Sequence, residues 1–352
     1  MKIQLEPIFL GLESNLKRFG GISMKSDDEK LRELFEVKEK PTFNDNIRRA
    51  KALTIIRTGI ISLMMFIIIS FIVLILNATL LSKISEREED ELRDWFNIAM
   101  PNAYVGNTQN HDGIMIGEMN YVRYRFLGDK PITDGNYKET YTYMPLINDT
   151  YGDREKYLWN SDGESKEDIG KVRRYNKSGK RVMKFYHPSI KYEKYINDLE
   201  SLDDIGGDKV MEISLSFDKE YTMAQIQEML PKNLTLNWYW VNTINEDDMD
   251  VSSESIFEEY DVYGIKALDE QGHAIINPEN KFIKAIMDGK RKNYSETYEK
   301  LFDTLSNGKG EINMEGLKII GVVVSGDVEK LKDLKDERYI KAATIGAVTD
   351  RY

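Results

Sequence analysis

Cysteine is absent from all 352 residues. That excludes disulfides, thiolate zinc sites and a cysteine nucleophile. Histidine is nearly absent: His111, His187 and His273 stand far apart from one another. The chain also lacks a phosphate-cradling glycine loop, a nucleophile elbow and a zinc-protease helix. Basic residues fall short of acidic ones, 49 Lys and Arg against 60 Asp and Glu, for a net charge of -11. Contact with phosphates needs Lys/Arg patches, so direct nucleic-acid binding is not expected. The acidic run Glu246-Asp247-Asp248-Met249-Asp250 lacks the central Gly and trailing Glu of a calcium-binding helix–loop–helix, and reads as a solvated loop. The expectation is a chain with no catalytic residues, metal site or cofactor, and not an enzyme.

What is present is a long stretch without charge. Residues 58–82 carry no Asp, Glu, Lys or Arg, and lie between Arg57 and Lys83. A helix of about 25 residues, rising about 1.5 Å per residue, covers the roughly 30 Å hydrocarbon core with some tilt. A buried core helix is seldom apolar all round for that length. A cleaved signal peptide has a shorter apolar region that sits nearer the amino terminus and ends at small residues. A single-span anchor is therefore expected over residues 55–82. Arg48, Arg49, Lys51 and Arg57 precede the run, and Lys83, Arg87 and Arg93 follow it. This small bias puts the amino terminus in the cytoplasm and the carboxy-terminal part outside.

The amino-terminal head is short. Residues 1–23 are mildly apolar without clear periodicity, and Gly20-Gly21 could be encoded by a ribosome-binding sequence upstream of Met24. They are either a start-site overrun or a genuine extension, which leaves residues 24–54 as the head. Ser26 and Glu29 have capping-box spacing. Leu31, Leu34 and Phe35 then recur at helical spacing, and Pro41 ends that helix. A second amphipathic segment, residues 43–52, runs toward the membrane helix. A head this small cannot bury its own core. Its apolar stripe fits the groove of a protein partner, with docking on the membrane surface as the alternative.

The tail divides into two parts. In residues 83–195, a helix at 85–100 places Leu92, Trp95, Phe96 and Ala99 on one face, as a stalk that could continue the membrane helix. Strands follow at 114–127 and 137–146, then a hairpin around Asn176-Lys-Ser-Gly179. In residues 196–352, two strand–helix–strand units echo each other. One has strands at 210–217 and 234–243, with a helix over 222–230 capped by Thr222. The other has strands at 317–325 and 339–348. Between them lie a strand at 260–268 and helices near 280–288 and 295–305. The fold class is α+β: one transmembrane helix, a mixed antiparallel-sheet region, and a ferredoxin-like carboxy-terminal domain. Trp238 and Trp240 share one face of a strand, and such a face is more often core than a ligand platform.

The segment Glu212-Ile-Ser-Leu-Ser-Phe-Asp-Lys219 resembles the opening strand of the carboxy-terminal domain of membrane-bound sigma factor regulators from Gram-positive bacteria. Tyr221-Thr222, the helix after it and Trp238-Tyr-Trp-Val241 fit the same domain. Residues 47–124 resemble the family's amino-terminal domain. The resemblance implies an anti-sigma factor. Its cytoplasmic head would sequester an extracytoplasmic-function sigma factor, with Leu31, Leu34 and Phe35 as apolar anchors. Its outer domain would respond to a signal, and a second membrane co-regulator is an optional partner. The head lacks the His/Cys motif of zinc-dependent anti-sigma proteins, so no zinc clasp is carried over. The rival reading is an anchored binding or envelope-structural protein whose head only sets topology.

Overall fold

The structure is a computed structural model that describes residues 43–144, 158–159, 173–244, 256–290 and 295–352. The stripe of Leu31, Leu34 and Phe35, the Met24 start and the acidic run at 246–250 lie outside the described residues.

Helix α1 runs without a break over Phe43–Ile98, 56 residues. It is the one described helix long and apolar enough to cross a membrane. Its apolar side chains from Leu53 to Leu76 are exposed. Further on the helix turns one-sided. Leu81, Phe96 and Ile98 are buried, and Leu92 and Trp95 pack against the core. The stalk face anticipated from Leu92, Trp95, Phe96 and Ala99 is the docking face.

Three strands follow in the order β1 (Tyr104–Asp112), β2 (Ile116–Leu127) and β3 (Lys130–Thr142), all antiparallel. Strand β2 alternates as its sequence suggests, but β1 was not anticipated. Its residues 106–112 are mostly polar and exposed, so no apolar face marks it as a strand. Strand β3 begins earlier than expected because Pro131 and Gly135 disguise it. Gly135 has φ +130° and sits beside the register shift opposite Arg123/Tyr124.

The hairpin at 176–179 is half right. The Asn176 amide donates to the Lys180 carbonyl, and Tyr175 bridges Arg181. The Val182 amide still donates to the Arg174 carbonyl, and beyond it the arms part. Strand β4 (Leu158–Trp159) pairs with β5 (Arg174–Tyr175), and β6 (Lys184–Phe185) pairs instead with β9 (Phe257–Glu258). Phe185 leaves its hairpin partner to be buried against Trp238 and Trp240.

The carboxy-terminal part is built on β7 (Lys209–Tyr221), α2 (Met223–Met229), β8 (Thr235–Val241), β10 (Gly264–Lys266), β11 (Ile319–Asp327), α5 (Val328–Leu331) and β12 (Ile340–Asp350). Helices α3 (Pro278–Gly289) and α4 (Ser295–Ser306) lie between β10 and β11 in sequence. The five strands form one antiparallel sheet in the order β10-β8-β11-β7-β12. The two strand–helix–strand units therefore interleave: β11 separates β7 from β8, and β7 separates β11 from β12. Apolar residues of this sheet pack with Ile226, Phe282, Tyr298, Leu301 and Leu331 of the helices in the main core, which also takes in Phe96 and Ala99. Trp238 and Trp240 are fully buried with Met183, Phe185 and Val323 in a second cluster. They are core, as the alternation predicts.

Candidate functional site

The most unusual chemistry in the fold lies in its interior, where the three-stranded sheet meets the five-stranded one. On β2 the inward positions are Met119, Tyr121, Arg123 and Arg125, so two guanidinium groups occupy places that the period-2 pattern assigns to apolar side chains. Arg125 is 1 % exposed. Its Nε donates to Asp134 Oδ2 on β3 at 2.7 Å. Its Nη1 donates to Glu212 Oε1 on β7 at 3.0 Å, and Nη1 and Nη2 grip Glu259 at 3.1 and 2.6 Å. One planar fork thus ties three segments together, a geometry that Arg supports and Lys does not.

Around it the carboxylates are themselves satisfied. Asp134 also accepts from Arg123 Nε and Asn176 Nδ2, both at 2.7 Å. Glu212 accepts from Asn102 Nδ2 at 2.6 Å and from the Ala347 amide of β12 at 3.0 Å. Asn102 stands just past the end of α1 with φ +50°, a region Asn tolerates better than most residues. It also donates to the Phe126 carbonyl at 2.8 Å. The chain leaving α1 is thereby bonded directly to β7, an interior strand of the five-stranded sheet.

Electrostatics follow from burial. Desolvation pushes the Glu212 carboxyl above its usual range, against the pull of Arg125, Asn102 and the Ala347 amide. Asp134 is driven upward by burial too, but Arg125 and Arg123 outweigh that and hold it low. Burial alone would lower the Arg125 guanidinium, yet Asp134, Glu259 and Glu212 hold it well above its ordinary value. Nearby, Lys266 is buried and driven well below the usual lysine range, first by desolvation and then by Lys281 and Arg125. Its Nζ donates to the Ala103 carbonyl and lies 4.0 Å from the centre of the Tyr104 ring.

A second junction joins α1 to the three-stranded sheet. Leu81 packs on Met119 and Tyr141, flanked by Ile84 and Leu92. The side chain of Asn77 is bonded to the turn between β1 and β2.

The fold does not bring the three histidines together. His111 is on exposed β1, and His273 is in the loop after β10 beside Asp269. His187 is buried, with Nδ1 accepting from the Ser189 amide and Nε2 set 3.2 Å from Asn242 Oδ1. Among the described residues no group of three His, Asp or Glu could hold a metal ion. Reading the sequence overlooked the Arg125 cluster. The traces were there: two arginines on the inward parity of β2, and Glu212 inside an apolar strand.

Comparison with known proteins gives two matches. Residues 45–132 match the family model described as sigma factor regulator N-terminal, and residues 202–347 match sigma factor regulator C-terminal. No curated protein and no solved structure matches. The chain belongs to the sigma factor regulators, a regulatory family whose implied partner is a sigma factor.

Proposed function

We propose that this sigma factor regulator is a membrane-anchored anti-sigma factor. Its head, residues 24–54, sequesters an extracytoplasmic-function sigma factor in the cytoplasm. The part beyond the span, in a stalk and β-rich region to about residue 195 and a regulator domain after it, responds to a signal outside. The observation that carries the reading is helix α1. The helix that meets the membrane-crossing criterion of length and apolarity is the same unbroken helix whose far end is buried in the regulator fold. Such a helix suits a chain that must pass a change of state through a bilayer. The surplus of Arg and Lys before the run supports the orientation.

Leu31, Leu34 and Phe35 are proposed as the sigma-facing anchors, because a short amphipathic stripe without a core of its own gains most by docking in a groove. Replacing all three with Asp should release a sigma-dependent reporter while the protein stays in the membrane fraction. Unchanged capture of the sigma factor by that variant would refute the assignment. Deleting residues 24–46 tests the broader reading. If transcription of the regulon does not change, the chain is an anchored envelope protein and its head sets topology only.

A further inference from the structure

The uncharged run does not face solvent along its whole length. Leu81 is fully buried, and Asn77 is engaged by the β1–β2 turn. Asn77 Nδ2 donates to the Gly113 carbonyl at 2.9 Å, and its Oδ1 accepts from the Met115 amide at 2.7 Å and the Tyr143 hydroxyl at 2.8 Å. Met115 holds φ +67°, a conformation that a residue with a long side chain keeps only when its neighbours impose it. Asn77 grips its amide, and the Thr142 hydroxyl donates to its carbonyl at 2.7 Å. The turn is therefore fastened to the helix at one defined level.

That turn displays apolar side chains outward. Ile114 is 72 % exposed and Met115 41 %. The nearest acid, Asp112, is bonded to the Tyr141 hydroxyl. Asn77 directly follows Leu76, where the exposed apolar stretch of the helix pauses. Residues 58–76 make about 28 Å of helix at about 1.5 Å per residue, against a hydrocarbon core of about 30 Å. A span of that length leaves nothing over, and Asn77 then falls at the boundary of the bilayer.

We propose that residues 113–116 insert Ile114 and Met115 into the membrane interface beside the helix, so that the lipid bilayer is the partner of this edge of the domain. The turn acts as a depth stop that sets the domain against the bilayer surface. The proposal rests on α1 crossing the bilayer and is independent of the orientation and of the sigma factor.

The absence of cysteine makes the test direct. Full-length I67C, I114C and I276C variants, each carrying a nitroxide, are reconstituted in phosphatidylcholine–phosphatidylglycerol vesicles. Collision with oxygen, which concentrates in lipid, is compared with collision with a water-soluble nickel chelate. Ile276 is 88 % exposed in the loop before α3 and serves as the aqueous reference. The expected result is oxygen-dominated relaxation at 67, an interfacial value at 114 several-fold richer in oxygen than at 276, and chelate-dominated relaxation at 276. A label at 114 that behaves like 276 overturns the proposal. Shielding of 114 from both agents also overturns it, in favour of a protein contact. Chelate-dominated relaxation at 67 would remove the crossing helix itself, and the proposal with it.

Discussion

Arg125 Nη1 and Glu212 Oε1 lie 3.0 Å apart with both side chains out of solvent, and this pair joins the sheet that follows the membrane-length helix to β7, an interior strand of the five-stranded sheet. It is the core of a five-residue charge cluster with Asp134, Glu259 and Arg123. Such a cluster need not be more stable than a well-packed apolar one, but its members depend on each other.

Removing Arg125 leaves three buried carboxylates short of their main partner. An Arg125→Ala change should cost about 3–5 kcal/mol of stability. Arg125→Lys should rescue little of it, since one ammonium cannot grip Asp134, Glu212 and Glu259 together. Denaturant titration of the detergent-solubilised protein reads both. A loss near that of a surface substitution would show that the cluster is not holding the two sheets together.

Lys184 makes stability depend on alkaline pH. Burial lowers its ammonium from 10.5 to about 8, with Glu258 opposing and Arg173, Arg174 and Arg181 assisting. Below about 8 both folded and unfolded chains carry the proton, and the fold bears the cost of the buried charge. Between about 8 and 10.5 the unfolded chain binds more proton, so stability rises with pH. A Lys184→Met variant should lack that rise. Measurements are best kept below pH 10, because buried tyrosines act in the opposite sense: Tyr186 is pushed up to about 12 by burial, so its contribution is lost as pH rises above 10.

Gly264 is required by close approach. A Cβ there would overlap the Tyr239 carbonyl and the Trp238 ring. Gly264→Ala should loosen β10 from β8 at a cost of about 1–3 kcal/mol. Hydrogen exchange should quicken at the Val241 and Ala267 amides, which bond to Tyr263 and Asn237 across that pairing.

Helix α2 starts at a reciprocal cap. Thr222 Oγ1 accepts from the Gln225 amide at 3.3 Å, and Gln225 Oε1 accepts from the Thr222 amide at 2.9 Å. Thr222→Ala should cost about 1 kcal/mol, and Thr222→Ser much less. The urea midpoint should move without a change in slope.

Local periodicity was enough for the elements whose burial is one-sided or total. The uncharged run, the Leu92–Trp95–Phe96–Ala99 face, the alternation of β2, the cap at Thr222 and the two strand–helix–strand units are all legible in the chain, because each is encoded by neighbours within a few residues. Strand β1 was not, because its exposed polar residues gain strand character only by pairing with β2. The parting of the hairpin arms after Val182 was equally invisible, since Phe185 is drawn to tryptophans more than 50 positions away.

By itself the sequence determined that one segment suits a bilayer, that thiol and zinc–thiolate chemistry are excluded, and that an α+β domain of regulator type follows. The tertiary structure alone decided which distant residues meet. Arg125 meets Glu212 across 87 positions and Asn77 meets Gly113 across 36. A charge inside a strand, or an amide inside an apolar run, reads as an imperfection until the fold brings its partner within hydrogen-bonding distance. The geometry of both contacts, and the burial of the first, exist only once distant segments have packed.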